Sequence, residues 1–219
     1  MKSLAIKVCG MKYTENIKKI TELPIDFIGF IFYAKSPRFV ENLSAEVVKN
    51  LPCSIKRVGV FVNATKEYIL EKSQTYELHV LQLHGQESPD FCREIKEDTH
   101  RLITKAFGIS SSFDFNQLVS YEDCVDFFLF DTSTPQHGGS GMRFSWEILQ
   151  KYNSPKLYFL SGGIGLEHIQ EILQLKKQQP FLYGIDINSR FEESAGLKNF
   201  SLIQKFVKEI KELQHVIDI

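Results

Sequence analysis

No apolar run in this 219-residue sequence approaches the length of about 20 residues that a membrane-spanning helix needs. The apolar segment near the N-terminus is interrupted by Lys7 and lacks the cleavage signal of a secretory peptide. A soluble protein that makes no membrane contact is expected. An excess of one charge is also missing: 26 lysines and arginines stand against 27 aspartates and glutamates, with no basic stripe and no acidic tail. That balance argues against nucleic acid and for a small-molecule partner. Cysteine is sparse. Cys9, Cys53, Cys92 and Cys124 have neither the paired spacing of zinc ligands nor the density of a disulfide framework, so a reducing, cytoplasmic setting without a metal is expected. No proline-rich linker or low-complexity tract divides the chain, and 43% hydrophobic residues suffice for one well-buried core. Residues 1–219 are therefore expected to form a single domain.

What the sequence does contain is an alternation. Short β-rich runs are followed by segments whose apolar residues recur at helical spacing. "LAIKVC" precedes "TENIKKITEL", where Thr14 is expected to cap the helix, and "FIGFIF" precedes "SAEVVKNL", where Ser44 offers the same cap. The pattern continues through "RVGVFV", "LHVLQL", "RLITKAF" (followed by a weaker helical stretch around "FNQLVSYE"), "DFFLFD" (followed by "FSWEILQKY"), "LYFL" and "LYGIDI". In the last segment the apolar positions 197, 200, 203, 206, 207, 210 and 213 form one stripe. Strands separated by helices run parallel, and eight such units can close into a (β/α)8 TIM barrel, an α/β fold. An open doubly wound sheet is the alternative, but no "GxGxxG" follows the first strand.

In such a barrel the chemistry belongs at the C-terminal strand ends. Those ends are polar or glycine-rich here: Cys9-Gly10, "YAKSPRF", "QLHG", "FDT", "LSGG" and "GIDINSR". Strands seven and eight are where phosphate-binding barrels hold an anion, so "SGGIG" and "DINSR" suggest a phosphorylated ligand. Ordinary turns would need the same glycines. Asp131 closes an apolar, aromatic strand; beside apolar walls a carboxyl group retains its proton more readily and can act as a general acid, although an aspartate can equally cap a turn. Cys9 is either a small core residue or a base complementary to Asp131. Strand alternation puts Lys7 on the same face, where its cation is expected to favour the thiolate. His79 and His84 flank the fourth strand; His84, at the rim, is a candidate substrate contact as well as a candidate structural histidine.

Taken together, "IKVCGM", "GFIFYAKSPRFV", "RVGVFVN", "LQLHG", "FLFDTSTPQHGGSGMRFSW", "LSGGIG" and "GIDINSRFEESAGLKN" resemble the motifs of the phosphoribosylanthranilate isomerases of tryptophan biosynthesis, in type and in order, from the first strand to the last helix. The resemblance implies a (β/α)8 barrel. It implies an Amadori rearrangement of N-(5-phosphoribosyl)anthranilate, with Cys9 as general base and Asp131 as general acid and with neither cofactor nor metal. It further implies that Arg38 holds the anthranilate carboxylate, that Asp186 contacts substrate, and that Gly162, Gly163, Asn188, Ser189 and Arg190 lie on phosphate-binding turns. One position departs from the family pattern: "NSRFE" stands where "SSGVE" is common, so Arg190 replaces a glycine.

Three other readings are weighed against it. A Schiff-base aldolase would need a desolvated lysine inside the barrel, for which Lys105 is the candidate. A related sugar isomerase of histidine synthesis would show matching aspartates at strands one and five, which end here in Cys9 and "AFG". A non-catalytic phosphate-ligand module would bind without turnover. No apolar surface stretch stands out from the helices, which leaves a monomer and a homodimer open.

Overall fold

The computed structural model describes residues 3–132 and 144–217; residues 133–143, inside the "FLFDTSTPQHGGSGMRFSW" motif, lie outside the described residues. Eight parallel strands close into a barrel in sequence order. They are β1 (Ala5–Val8), β2 (Phe27–Ile31), β3 (Lys56–Phe61) and β4 (Val80–Leu83), then β5 (Leu102–Ile109), β6 (Phe127–Thr132), β7 (Tyr158–Leu160) and β8 (Leu182–Ile187). Closure comes from β8 pairing with β1, with Lys7 opposite Asp186 in the register. An open doubly wound sheet is thereby ruled out.

Helices α1 (Thr14–Ile20), α2 (Ala45–Lys49), α3 (Lys66–Thr75) and α4 (Pro89–Thr99) return the chain after the first four strands. Their caps differ from expectation. Thr14 is already helical and Tyr13 takes the cap position, while Ser44 is at its cap position without a side-chain bond. Thr65 and Ser88 do cap, accepting from the backbone N–H groups of Tyr68 and Phe91, with Pro89 in the first turn of α4.

The segments after β5 and β6 form 3-10 helices, Phe115–Tyr121 and Trp146–Lys151. In the first, Asn116, Val119 and Ser120 are poor helix formers, and Asp114 turns its side chain back to the N–H of Asn116. In the second the chain is already extended at Tyr152, ahead of Pro155, which disfavours helix before it. Helix α5 (Ile169–Gln178) follows β7. Helix α6 (Phe200–Ile217) buries Ile203, Phe206, Val207 and Ile210, and it packs on α1 and α5. Leu197 is not part of that helix. It belongs to β10 (Leu197–Lys198), which pairs antiparallel with β9 (Glu192–Ser194) in a hairpin the apolar pattern did not reveal.

The core has two parts. Most buried residues lie between the barrel and its helical shell, whereas Ala5, Phe27, Val58, Val80, Ala106, Leu129 and Phe159 form a separate cluster inside the barrel. Phe159 meets Phe27 edge-on, and Phe127 and Tyr183 pack against the same cluster. This apolar plug fills the barrel beneath its C-terminal rim.

Candidate active site

Strand alternation carries the interior rows of β1 and β4 upward from the apolar plug into polar residues. On β1, Ala5 belongs to the plug, Lys7 stands above it, and Cys9 follows the strand; on β4 the same row runs Val80, Gln82, His84. Lys7 is 2% exposed, and its Nζ donates to Gln82 Oε1 at 2.7 Å and to Asp186 Oδ2 at 2.9 Å. Burial works against the ammonium, but Asp186 and Cys9 more than offset it and raise the Lys7 pKa above the ordinary lysine value. Burial likewise pushes the Asp186 carboxyl up, with Lys7 pulling it down. At 2.9 Å the pair is read as ammonium and carboxylate. Among the described residues the second carboxylate oxygen of Asp186, Oδ1, has no hydrogen-bond partner although it is buried.

Cys9 is 3% exposed. Its thiol sits against the backbone of β2, where only glycine fits: a Cβ on Gly29 would come within 2.8 Å of Sγ and 3.2 Å of the Cys9 Cα. The Lys7 cation does favour the thiolate, as expected, but it does not prevail. Burial pushes the Cys9 thiol up, Lys7 and Lys198 pull it down, Asp186 opposes them, and the balance lies above the usual thiol value.

Asp131, near the end of β6, accepts the backbone N–H of Thr132 at Oδ1 over 2.8 Å, and its Oδ2 lies 3.4 Å from His84 Nε2. Its polar neighbours are thus an imidazole and a backbone amide rather than the apolar wall expected from "DFFLFD". Gly162, with φ +89°, brings the turn after β7 up to this carboxylate; a Cβ there would lie 2.3 Å from Thr132 Oγ1 and 2.8 Å from Asp131 Oδ1. Of the two histidines flanking β4, only His84 faces this site. His79 accepts from the Arg57 backbone N–H at Nδ1, and burial together with Arg57 holds its pKa down to about 4.

Arg38 donates from Nε and Nη2 to both carboxylate oxygens of Glu192 over 2.7–3.1 Å. Among the described residues its Nη1 has no hydrogen-bond partner. Glu192 also accepts from Lys198 Nζ at 2.6 Å, and Lys198 donates again to Asn188 Oδ1. Burial pushes the Glu192 carboxyl up, but Arg38 and Lys198 hold it below the usual range; burial lowers Lys198 to about 8. This cluster ties the β2 loop, the β8 turn and the β9–β10 hairpin together. Sequence reasoning did not single out Glu192, Lys198 or Gln82. A glutamine amid "VLQL", in step with His84, was the legible signal for Gln82; Glu192 and Lys198 lay inside a quoted motif with no local mark of their role.

At the remaining rim, Gly162 and Gly163 take positive φ after β7, and Asn188, Ser189 and Arg190 make the turn after β8. The Arg190 guanidinium pairs with Glu167 and lies over Gly165, so it bridges the two turns while both ionic side chains stay well exposed. Lys105 is not in the barrel interior. Its neighbours Thr104 and Ala106 line the interior, and Lys105 on the opposite face donates to the carbonyls of Leu83, Gly85 and Ala106 and pairs with Glu87. The aldolase reading thereby loses Lys105 as its candidate, and the lysine that does stand inside the barrel, Lys7, is engaged with Asp186 and Gln82. Among the described residues no group of three or more His, Cys, Asp or Glu side chains could hold a metal ion, and no helix is long and apolar enough to cross a membrane.

Residues 6–209 match the family described as N-(5'phosphoribosyl)anthranilate (PRA) isomerase. The N-(5'-phosphoribosyl)anthranilate isomerase of Parabacteroides distasonis is 45% identical over 209 residues, covering 94% of this chain and 93% of its own. Among solved structures, the phosphoribosyl anthranilate isomerase of Thermotoga maritima superposes with a TM-score of 0.82 at 32% identity, covering 95% of this chain and 99% of its own. A phosphoribosyl anthranilate isomerase in complex with reduced 1-(o-carboxyphenylamino)-1-deoxyribulose 5-phosphate superposes with a TM-score of 0.78 at 29% identity, over 95% and 99% of the two chains.

Proposed function

Because this chain belongs to the N-(5'-phosphoribosyl)anthranilate isomerase family, we propose that Cys9 and Asp131 are the base and the acid of its reaction. That reaction converts N-(5-phosphoribosyl)anthranilate to 1-(2-carboxyphenylamino)-1-deoxyribulose 5-phosphate by an Amadori rearrangement, in tryptophan biosynthesis. Asp131 gives its proton to the furanose ring oxygen as the bond from that oxygen to C1 of the sugar breaks, and the anthranilate nitrogen supplies the electron pair of the new C=N bond. The Cys9 thiolate then takes the proton from C2, the C–H pair becomes the C1=C2 double bond, and the nitrogen recovers its pair as an enolamine. Loss of the C2 hydroxyl proton and protonation at C1 give the ketone. No electron acceptor enters the balance.

The observation that carries this reading is the convergence of the two groups on one rim above a polar layer, Cys9 beside Lys7 and Asp131 beside His84. Substrate would be held at three points. The Arg38 Nη1 end, with the rest of the guanidinium fixed by Glu192, suits the anthranilate carboxylate. The unpartnered Asp186 Oδ1 suits a sugar hydroxyl. Gly162, Gly163, Asn188 and Ser189 offer backbone N–H groups to the phosphate, with Arg190 as an auxiliary contact. We read the whole chain as one catalytic domain, and its four free thiols fit the cytoplasm.

The test is steady-state turnover of Cys9→Ala, followed by fluorescence. Loss of a general base should lower kcat by at least ~10²-fold while the melting temperature stays near that of the unsubstituted protein. Near-normal kcat would end the assignment, and a collapsed melting temperature would point to a packing role.

A further inference from the structure

Inside the barrel, a set of contacts leads from the cation beside Cys9 to the carboxylate of Asp131. Lys7 Nζ lies 2.7 Å from one end of the Gln82 carboxamide, the other end lies 2.7 Å from His84 Nδ1, and His84 Nε2 lies 3.4 Å from Asp131 Oδ2. The donor and acceptor roles along this row follow from its first member. An ammonium group only donates, so the Gln82 atom facing Lys7 must be the oxygen. The amide nitrogen, which only donates, is then the atom facing His84, and Nδ1 must accept. An accepting Nδ1 carries no proton, which leaves the imidazole proton on Nε2, the nitrogen that faces Asp131.

We propose that Lys7 and Gln82 are positioning residues that hold His84 in its neutral Nε2–H tautomer, so that the ring donates to Asp131 as the acid loses its proton. This inference rests on Asp131 being the acid. Two N–H groups would then receive the developing carboxylate: Thr132 at Oδ1 and His84 at Oδ2. The opposite tautomer would aim a ring lone pair at the acid and compete with the substrate for its proton. A doubly protonated ring would set an Nδ1–H against the amide hydrogens of Gln82. Gln82 is 1% exposed, so no solvent molecule stands in for it at little cost, and Lys7 keeps its charge because Asp186 faces it. The lysine thus acts on both halves of the reaction, on Cys9 directly and on Asp131 through two side chains.

The test is nitrogen-15 NMR of the imidazole in the free protein, together with kinetics of Gln82→Glu. In the unsubstituted protein the His84 Nδ1 should have the shift of an unprotonated ring nitrogen and Nε2 that of a protonated one. A glutamate at position 82 accepts from both Lys7 and the ring, so the variant should protonate Nδ1 and lower kcat by about 10- to 100-fold, with KM changed less than kcat. A protonated Nδ1 in the unsubstituted protein overturns the proposal, as does a Gln82→Glu variant with altered ring shifts and full kcat. If that variant does not fold, Gln82→Met removes both bonds without adding charge; it should give a mixture of tautomers and reduced kcat, and unchanged shifts with unchanged kcat count against the proposal. Failure of the acid assignment reads out separately, as undiminished kcat in Asp131→Asn.

Discussion

The thiol of Cys9 is pulled in two directions, and burial decides the outcome. Lys7 and Lys198 favour the thiolate, yet burial raises the pKa beyond what they recover, so the resting residue holds its proton and kcat/KM should climb as pH rises toward the usual thiol range. The enclosure itself depends on Gly29. Gly29→Ala would bring a methyl group within 2.8 Å of Sγ and 3.2 Å of the Cys9 Cα, and the displacement of the thiol this forces should lower kcat up to about 10²-fold with a smaller effect on KM. Unchanged kcat would show that the thiol's position is not critical. At the acid, Asp131→Asn keeps the shape and the Thr132 contact but has no proton to give; turnover should be lost while a product analogue still binds, as titration calorimetry would measure. Arg190 is a weaker case. Its guanidinium is already paired with Glu167 at an exposed rim, so Arg190→Gly should raise KM by no more than about tenfold and leave kcat nearly unchanged. A KM increase beyond a hundredfold would make this arginine the principal phosphate anchor.

Among the elements, the β9–β10 hairpin does what its short length does not suggest. It delivers Glu192 to Arg38 and seats Lys198 beneath the β8 turn, so a two-stranded excursion between β8 and α6 sets the orientation of a substrate-facing guanidinium. Glu192→Gln would leave Arg38 and the fully buried Lys198 facing one another without the intervening charge. Such a loss costs roughly 3–5 kcal/mol for a buried pair, and KM should rise more than kcat falls because Arg38 loses its fixed edge. Denaturant unfolding and steady-state kinetics would separate the two effects. The start of β4 offers an independent test of pH dependence. His79 is held at about 4 in the fold against an ordinary histidine value of 6.5, so between those values the unfolded chain binds a proton that the folded chain does not. Stability should therefore fall as pH drops from 6.5 toward 4, and His79→Gln should flatten the dependence of melting temperature on pH across that window. An equally steep profile in the variant would assign the slope to other groups.

At the scale of the whole molecule, the barrel closes only when β8 meets β1, the strands most distant in sequence, and α6 lies over the first and last helical returns. Ile210, fully buried on α6, contributes to that closure far from the rim chemistry. Ile210→Ala should destabilise the protein by about 2–5 kcal/mol with little change in kcat at temperatures where it remains folded. Closure also couples the chemistry to folding. The Lys7–Asp186 pair joins residues 179 positions apart and is formed only by the last strand pairing, so the polar layer under the active rim does not exist before the barrel is complete.

Features that depend on neighbours along the chain were legible in the residues alone. Alternating strand and helix patterns called for eight β/α units and hence a parallel barrel, and the position of Cys9 and Asp131 at strand ends placed them at the rim, because a strand end is a local property. The order of the motifs was sufficient to suggest the reaction. The segments after β5 and β6 carry only a helical spacing, weak in the first, and spacing alone does not distinguish the 3-10 hydrogen-bond pattern they adopt from an α-helical one. Which polar groups meet is a property of the closed barrel. Arg38 and Glu192 are 154 positions apart and Lys7 and Gln82 are 75 apart, and nothing local in either segment encodes the partner. The direction in which Cys9 titrates belongs to the same class: the nearby cation was visible in the strand pattern, but desolvation arises from atoms that other strands bring, β2 and β8 among them, and here desolvation is the larger effect.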